Sequence, residues 1–225
     1  MENKITLVIP AKNEADSLPK VLKELKKFKF KISIVLERSD QKTIESIKKF
    51  KNKKLIFQKN KGYGDALRLG IKKVKTKYFC IFNADGSFNP KEIKRFSKLL
   101  QNNQAEIVFG SRYEFKGKSD DDTLLTYVGN KFFTLFGKIF FNLPITDILY
   151  TFVLGDTKRV NSLKLNDNDF KFCVELPIKA FRKNIEIVSC YSHERPRIGG
   201  KKKVNEFLDG FKILTRLLKL LFRNH

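Results

Sequence analysis

The sequence predicts an α/β fold: a mostly parallel sheet flanked by helices, with an amphipathic helix ending the chain. Two observations carry that prediction. As far as about Gly110, short apolar runs alternate with segments of helical period, the grammar of repeated strand and helix units. Right-handed crossovers turn such units into a doubly wound sheet whose ligands collect at the carboxyl ends of its strands. The second observation is that three of those ends carry polar turns: Pro10 to Glu14, "LERSD" from Leu36 to Asp40, and "NADGS" from Asn83 to Ser87.

The first strand, Ile5 to Ile9, stops at Pro10, which has no N–H for a sheet ladder. Asp16 or Ser17 then caps a helix whose apolar face is Leu18, Val21, Leu22 and Leu25. Strands follow at Ile32 to Leu36 and Leu55 to Gln58. The stretch "NKGYGDALRLGI" places Gly62 and Gly64 at a helix entrance, and Ala66, Leu67, Gly70, Ile71 and Val74 continue that helix. Glycines there either let an anion meet the backbone N–H groups or pack a tight turn against the sheet. The spacing is neither G-x-G-x-x-G nor a P-loop.

Strands at Tyr78 to Phe82 and Ile107 to Phe109 complete the alternating half. Beyond Tyr113 the grammar changes. A polar loop, "KGKSDDD", leads into a Phe-rich helical stretch from Leu124 to Phe141 and then into "PITDILYTFVLGD". A helix around Phe170 to Phe181, a strand from Ile185 to Tyr191, a basic loop "ERPRIGGKKK" and the amphipathic segment finish the chain.

Asn83 and Asp85 bring amide and carboxylate oxygens two residues apart beside the Gly86 turn. Hard oxygens at that spacing suit Mg²⁺ or Mn²⁺ bridging a diphosphate, because such a metal keeps waters and takes further ligands from phosphates. An exposed turn is the other reading of the same residues.

Together, "VIPAKNEADSLPKVL", "NKGYGDALRLGI", "FNADGSFNP", "VFGSRY" and "RIGGKKKV" resemble, in order and separation, the family 2 glycosyltransferases. The likeness is nearest to the dolichol-phosphate mannosyltransferase-like branch, whose members act on polyprenyl phosphates, and it covers nearly the whole chain. It implies a GT-A fold over residues 1–204, with 1–113 as the nucleotide-sugar half, 114–204 as the acceptor half, and 205–225 as a basic amphipathic helix. It implies inverting transfer from a nucleotide diphosphate sugar to a polyprenyl phosphate or other membrane-linked acceptor. A transferase extending a cell-surface saccharide at a hydroxyl, or a non-catalytic sugar-nucleotide binder, are the alternatives.

The resemblance assigns donor binding to Pro10, Lys12, Glu14, Glu37, Gly62 and Asp85. Asp85, with Asn83 and Ser87 as weaker neighbours, is implied to hold Mg²⁺ or Mn²⁺. Arg112, Arg197 and Lys203 fall where side chains grip phosphates, a task suited to the guanidinium fork. Asp85, Arg112 and Asp147 form the implied catalytic set. Three departures stand out: Asn83 replaces an aspartate, Glu37-Arg38-Ser39-Asp40 replaces Asp-Asp-Gly-Ser, and Val153 replaces an arginine on the acceptor side.

Composition bounds the partners. A net charge of +23 attracts nucleic acid, an anionic membrane surface or a phosphate-bearing substrate. The absence of an RNP-like or helix-turn-helix signature removes nucleic acid. The 3 cysteines lack metal spacing and are expected as reduced, buried thiols of a cytosolic protein. His193 is expected on the surface. No apolar run reaches the roughly 18 residues of a spanning helix, so the chain is expected at the cytoplasmic face of a membrane as a peripheral protein. Either the closing helix, with Leu214, Leu217 and Leu221 on its apolar face, lies on the bilayer or it packs on the domain's own core. Recruitment by a separate membrane protein also fits.

Overall fold

A computed structural model describes residues 1–199 and 203–222. Gly200, Lys201 and Lys202 of the expected basic loop, and residues 223–225 of the segment expected to close the chain as a helix, lie outside the described residues. The elements run β1 (Ile5–Pro10), α1 (Leu18–Leu25), β2 (Lys31–Leu36), α2 (Gln41–Ser46), β3 (Lys54–Phe57), α3 (Tyr63–Lys72), β4 (Tyr78–Ile81), α4 (Ile93–Gln101) and β5 (Ile107–Ser111). Then come β6 (Lys118–Ser119), α5 (Leu124–Phe141), β7 (Val153–Asp156), α6 (Thr157–Ser162), α7 (Phe172–Arg182), β8 (Ile187–Tyr191), β9 (His193–Glu194) and α8 (Glu206–Phe222).

The main sheet has the order β3-β2-β1-β4-β7-β5-β8. All its pairings are parallel except those of β7, which runs antiparallel to both β4 and β5. Alternation along β1 explains the layers: Val8 faces one core with α3, α7 and α8, while Leu7 and Ile9 face the other with α1 and α4. Both faces of the sheet are therefore covered, as parallel strands require. Gly70 lets α3 lie directly on the sheet, since a Cβ there would come within 2.4 Å of Val8.

The inserted strand β7 is not foreseen by the sequence reading, which leaves "FVLGD" within a connection. Gly155 sits opposite Ile107 and Phe79, and an added Cβ there would stand a tight 3.2 and 3.1 Å from their side chains. Because β7 runs backwards, the segment just before it, Asp147 to Phe152, arrives at the carboxyl ends of β4 and β5. A two-stranded parallel pair, β6 with β9, holds the polar loop against the start of the basic loop.

At the entrance to α3 the structure decides between two readings of the glycines. The N–H of Asp65 donates to the carbonyl of Asn168, so the helix entrance is filled by the chain itself and not by an anion. Gly62, at φ 123°, and Gly64 permit that approach, because added Cβ atoms would stand 2.0 Å and 2.5 Å from the carbonyls of Asn168 and Asp167. Gly62→Ala is expected to cost about 2 kcal/mol or more, lowering the thermal midpoint by roughly 4–8 °C in calorimetry. An unchanged midpoint would show that the 166–169 segment is not packed there.

Candidate active site

The parallel arrangement puts the ends of β1, β2, β3, β4 and β5 along one edge, and a cavity of about 550 Å³ opens there. Pro10, Lys12, Glu14, Glu37 and Gly62 line one part of it, and Asn83 and Asp85 lie along it with Arg112, Arg197 and Lys203. Leu125, Gly129 and Phe133 of α5, with Phe207, Gly210 and Ile213 of α8, wall the rest. Sequence positions separated by most of the chain thus share one cavity.

The turn after β4 is built around Asp85. Its Oδ1 accepts from the Ser87 amide at 3.0 Å and the Ser87 hydroxyl at 2.7 Å. Ser87 Oγ in turn accepts from Asn83 Nδ2 at 3.2 Å. These bonds leave Asp85 Oδ2 and the Asn83 side-chain carbonyl without hydrogen-bond partners among the described residues. Gly86, at φ 86°, completes the turn and clears space for Ile198, whose N–H donates to the Asp85 carbonyl at 2.9 Å. The donor set fits a divalent cation that keeps waters and phosphate oxygens in its shell. Ser87 does not fit the weaker ligand role expected of it: it is buried, it is absent from the cavity wall, and its hydroxyl supports Asp85.

Every basic residue expected to grip phosphate is already paired. Lys203 contacts Glu14, whose other oxygen accepts from Ser17 at 2.5 Å. Arg197 places Nε and Nη2 at 3.0 and 2.8 Å from one oxygen of Asp121. Burial works against that charge, but the bond to Asp121 and the fields of Asp121, Asp85 and Glu194 hold the guanidinium above its ordinary pKa. Lys12 reaches Glu37 at 3.6 Å.

Arg112 is the most heavily engaged. It forks onto Asp147 through Nε at 2.7 Å and Nη2 at 2.9 Å, while Nη1 lies 3.3 Å from Asp122 and 3.2 Å from Glu194. Its guanidinium also covers the Tyr150 ring at 4.7 Å. Burial opposes the charge, yet Asp147 and then Glu194 raise its pKa well above the ordinary value. The expectation for Asp147 is corrected here. It is fully buried, absent from the cavity wall and engaged by both arms of the Arg112 fork. Arg112 reaches the cavity, but its donors face carboxylates on all three nitrogens.

Several lining residues escape the sequence reading. Tyr63 donates or accepts with Thr151 at 2.7 Å and stacks on Phe170 at 5.0 Å, joining α3 to the segment before α7. Asp121 and Asp122 lie in the triple-aspartate loop, which the sequence offers only as polar. His193 stands half-exposed at 2.6 Å from Asp120, away from the cavity wall. All 3 cysteines are free and buried.

The strand-end turns, the Asp85 support and the sheet order agree with a match over residues 6–160 to the family described as Glycosyl transferase family 2. The chain belongs to that family. Its relatives include the Methanocaldococcus jannaschii protein MJ1222, 33% identical over 57% of this chain and 55% of that protein. The low-salt glycan biosynthesis hexosyltransferase Agl6 of Haloferax volcanii is 23% identical over 70% of this chain and 38% of its own length. The chain spans about half the length of the first two curated relatives it matches, 55% and 50%. The Mycobacterium bovis glycosyltransferase Mb0553 matches at 25% identity over 92% of both chains.

Among solved structures, the glucosyl-3-phosphoglycerate synthase of Mycobacterium tuberculosis bound to phosphoglyceric acid superposes with a TM-score of 0.75. It is 12% identical and the match covers 96% of this chain and 79% of that one, which establishes the GT-A fold for this family 2 chain. The same enzyme has also been solved with Mn²⁺, uridine diphosphate and glucosyl-3-phosphoglycerate.

Removing the buried partner of Arg112 tests its role as a support. Asp147→Ala is expected to cost about 3–5 kcal/mol in urea unfolding, because it strands a buried cation. A loss below about 1 kcal/mol would show that Asp122 and Glu194 suffice to hold Arg112.

Proposed function

We propose that this family 2 chain is an inverting glycosyltransferase taking a sugar from a nucleotide diphosphate sugar to a lipid-linked phosphate acceptor of the polyprenyl phosphate kind. One observation carries the reading. Although the protein has a net charge of +23, Glu14, Glu37, Asp85, Asp121, Asp122, Asp169, Glu194, Glu206 and Asp209 line the cavity against Lys12, Arg112, Arg197 and Lys203. A diphosphate enters such a wall only with added positive charge, and Asp85 Oδ2 and the Asn83 carbonyl are the oxygens placed to hold it. A bound Mg²⁺ or Mn²⁺ would neutralise charge on the departing diphosphate.

The chain's own groups do the rest. Pro10, Lys12 and Glu37 surround the nucleoside end of the donor. Arg197 and Lys203 exchange their carboxylate partners for phosphate oxygens, so the clamp is assembled by the ligand that needs it. Inversion requires the acceptor opposite the leaving group, on the side walled by α5 and α8. A phosphate acceptor arrives already ionised and needs no base. The apolar wall of Leu125, Phe133, Phe207 and Ile213 suits a hydrocarbon carrier.

A second reading, transfer to a hydroxyl of a small phosphorylated acceptor, is favoured by Asp121 and Asp169 at the wall, since a hydroxyl needs a carboxylate base. The structurally similar synthase, bound to phosphoglyceric acid, suggests that acceptor. Product analysis with prenyl phosphate in detergent and with phosphoglyceric acid, across a panel of nucleotide sugars, separates the two.

Asp85→Ala is expected to lower metal-dependent donor turnover about a hundredfold or more, roughly 2.7 kcal/mol of transition-state stabilisation. Asn83→Asp should tighten Mn²⁺ binding by adding a negative charge. Full wild-type turnover in excess chelator would refute the metal reading. Arg197→Ala and Lys203→Ala should each cost about tenfold in turnover, roughly 1.4 kcal/mol, while the exposed Lys48→Ala changes little. Equal losses in all three would trace the effect to overall charge and not to this site.

A further inference from the structure

The structure leaves one large apolar surface uncovered. On α5, Val128, Phe132, Leu135 and Ile139 are exposed at helical spacing, while Phe133, Gly137 and Phe141 are buried. On α8, Leu208, Phe211, Leu218 and Phe222 are exposed, while Ile213, Leu217 and Leu220 are buried. The expected membrane residue Leu217 is thus committed to the core, and a different stripe of α8 faces outward. Two further observations bear on what covers this surface. Leu125 and Phe207, the latter 77% exposed, line the active-site cavity and stand on the exposed stripes at once, so the cavity opens at this face. Exposed Lys131, Lys138, Lys212 and Lys219 are interspersed among the apolar side chains.

We infer that α5 and α8 together form a face that inserts into the interfacial layer of an anionic lipid bilayer, seating the mouth of the cavity at headgroup level. Charge selects the occupant. A second copy would bring the same lysines and another net charge of +23 to the contact, whereas an anionic leaflet offers opposite charge to the lysines and hydrocarbon to the apolar stripes. No helix among the described residues is long and apolar enough to cross a membrane, so the pair lies in the surface layer. The body holds α8 in that attitude: Arg216 contacts Asp167 at 2.5 Å and Glu175 at 3.3 Å, and Arg182 donates to the Leu220 carbonyl at 2.6 Å. The inference extends the proposed lipid-linked acceptor, yet it stands on the exposed face whatever the acceptor is.

Flotation of the full chain with vesicles of equal parts phosphatidylglycerol and phosphatidylcholine tests it. Binding is expected with these vesicles, weakened by salt, and at least tenfold weaker with phosphatidylcholine alone. The combined change Val128→Ser, Leu135→Ser, Ile139→Ser, Phe211→Ser and Leu218→Ser should lower binding at least tenfold while preserving the thermal midpoint and donor hydrolysis in solution. Should that variant misfold, a polarity-sensitive fluorophore on Leu135→Cys serves instead, because the native thiols are buried. Its emission is expected to shift to the blue on anionic vesicles, and that of a label on Lys48→Cys is not. A wild-type chain that stays in solution overturns the inference. So does flotation with an unshifted Leu135→Cys label, which places the contact on another basic face, or a stable dimer by light scattering that the serine changes dissociate. Donor hydrolysis read in the same samples keeps a failure of the transferase reading separate.

Discussion

The segments that follow β5 are organised around one buried cation. Arg112, leaving the end of β5, draws Asp147 from the segment before β7, Asp122 from the triple-aspartate loop and Glu194 from β9 to a single guanidinium. None of these segments is long enough in regular structure to fix its own position. A buried ion pair of this kind adds little net stability against its desolvation, but loss of one partner is severe, so it acts as a device for specifying geometry. The geometry it specifies includes the attitude of α5, because Asp122 also accepts from Tyr113 and from Thr126 in the first turn of that helix.

Two strand-to-helix connections in the first half of the chain are fixed by close backbone approach. Gly62 and Gly64 admit the 166–169 segment onto the start of α3, and Gly86 admits Ile198 onto the Asp85 turn. In both places a distant piece of chain is bonded through main-chain groups, Asn168 to Asp65 in the first turn of α3 and Ile198 to Asp85 in the turn after β4. The two halves meet along the basic loop. Arg195, forked onto Glu24 at 3.0 and 3.1 Å, ties that loop to α1. The loop then carries Arg197 past Asp121, and beyond it Lys203 reaches Glu14.

Much of this was legible from the sequence where local pattern and tertiary role coincide. The alternating half and the whole of Leu124 to Phe141 as a helix follow from apolar periodicity, strand-end turns mark the edge where a ligand would sit, and the resemblance to family 2 glycosyltransferases implies the grouping of Pro10, Lys12, Glu14, Glu37, Asn83 and Asp85 that the cavity shows. The misses are places where distant contact decides. β7 is a short apolar run whose direction is set by its neighbours, and nothing in "FVLGD" states that it runs backwards. Asp147 reads as a conspicuous acid near the site, but only the fold shows it buried beneath Arg112. On α8 the apolar residues are visible in the sequence, while which stripe packs inward is set by its packing against α5 and α7.

The distribution of charge joins these parts. In a chain so rich in lysine, the cavity wall still carries nine carboxylates against four basic side chains. Each basic side chain at the wall is held by an acid, so in the absence of ligand the site presents neither a naked cation nor a preformed phosphate clamp. On the proposed reading, a diphosphate with a divalent cation would change both sides of that balance, the cation meeting Asp85 and the phosphates competing for Arg197 and Lys203. Such an exchange would release Glu14 from Lys203 and Asp121 from Arg197, both of them at the cavity wall. Under that reading the two ion pairs would couple donor binding to the state of the cavity wall, because the same side chains would serve both.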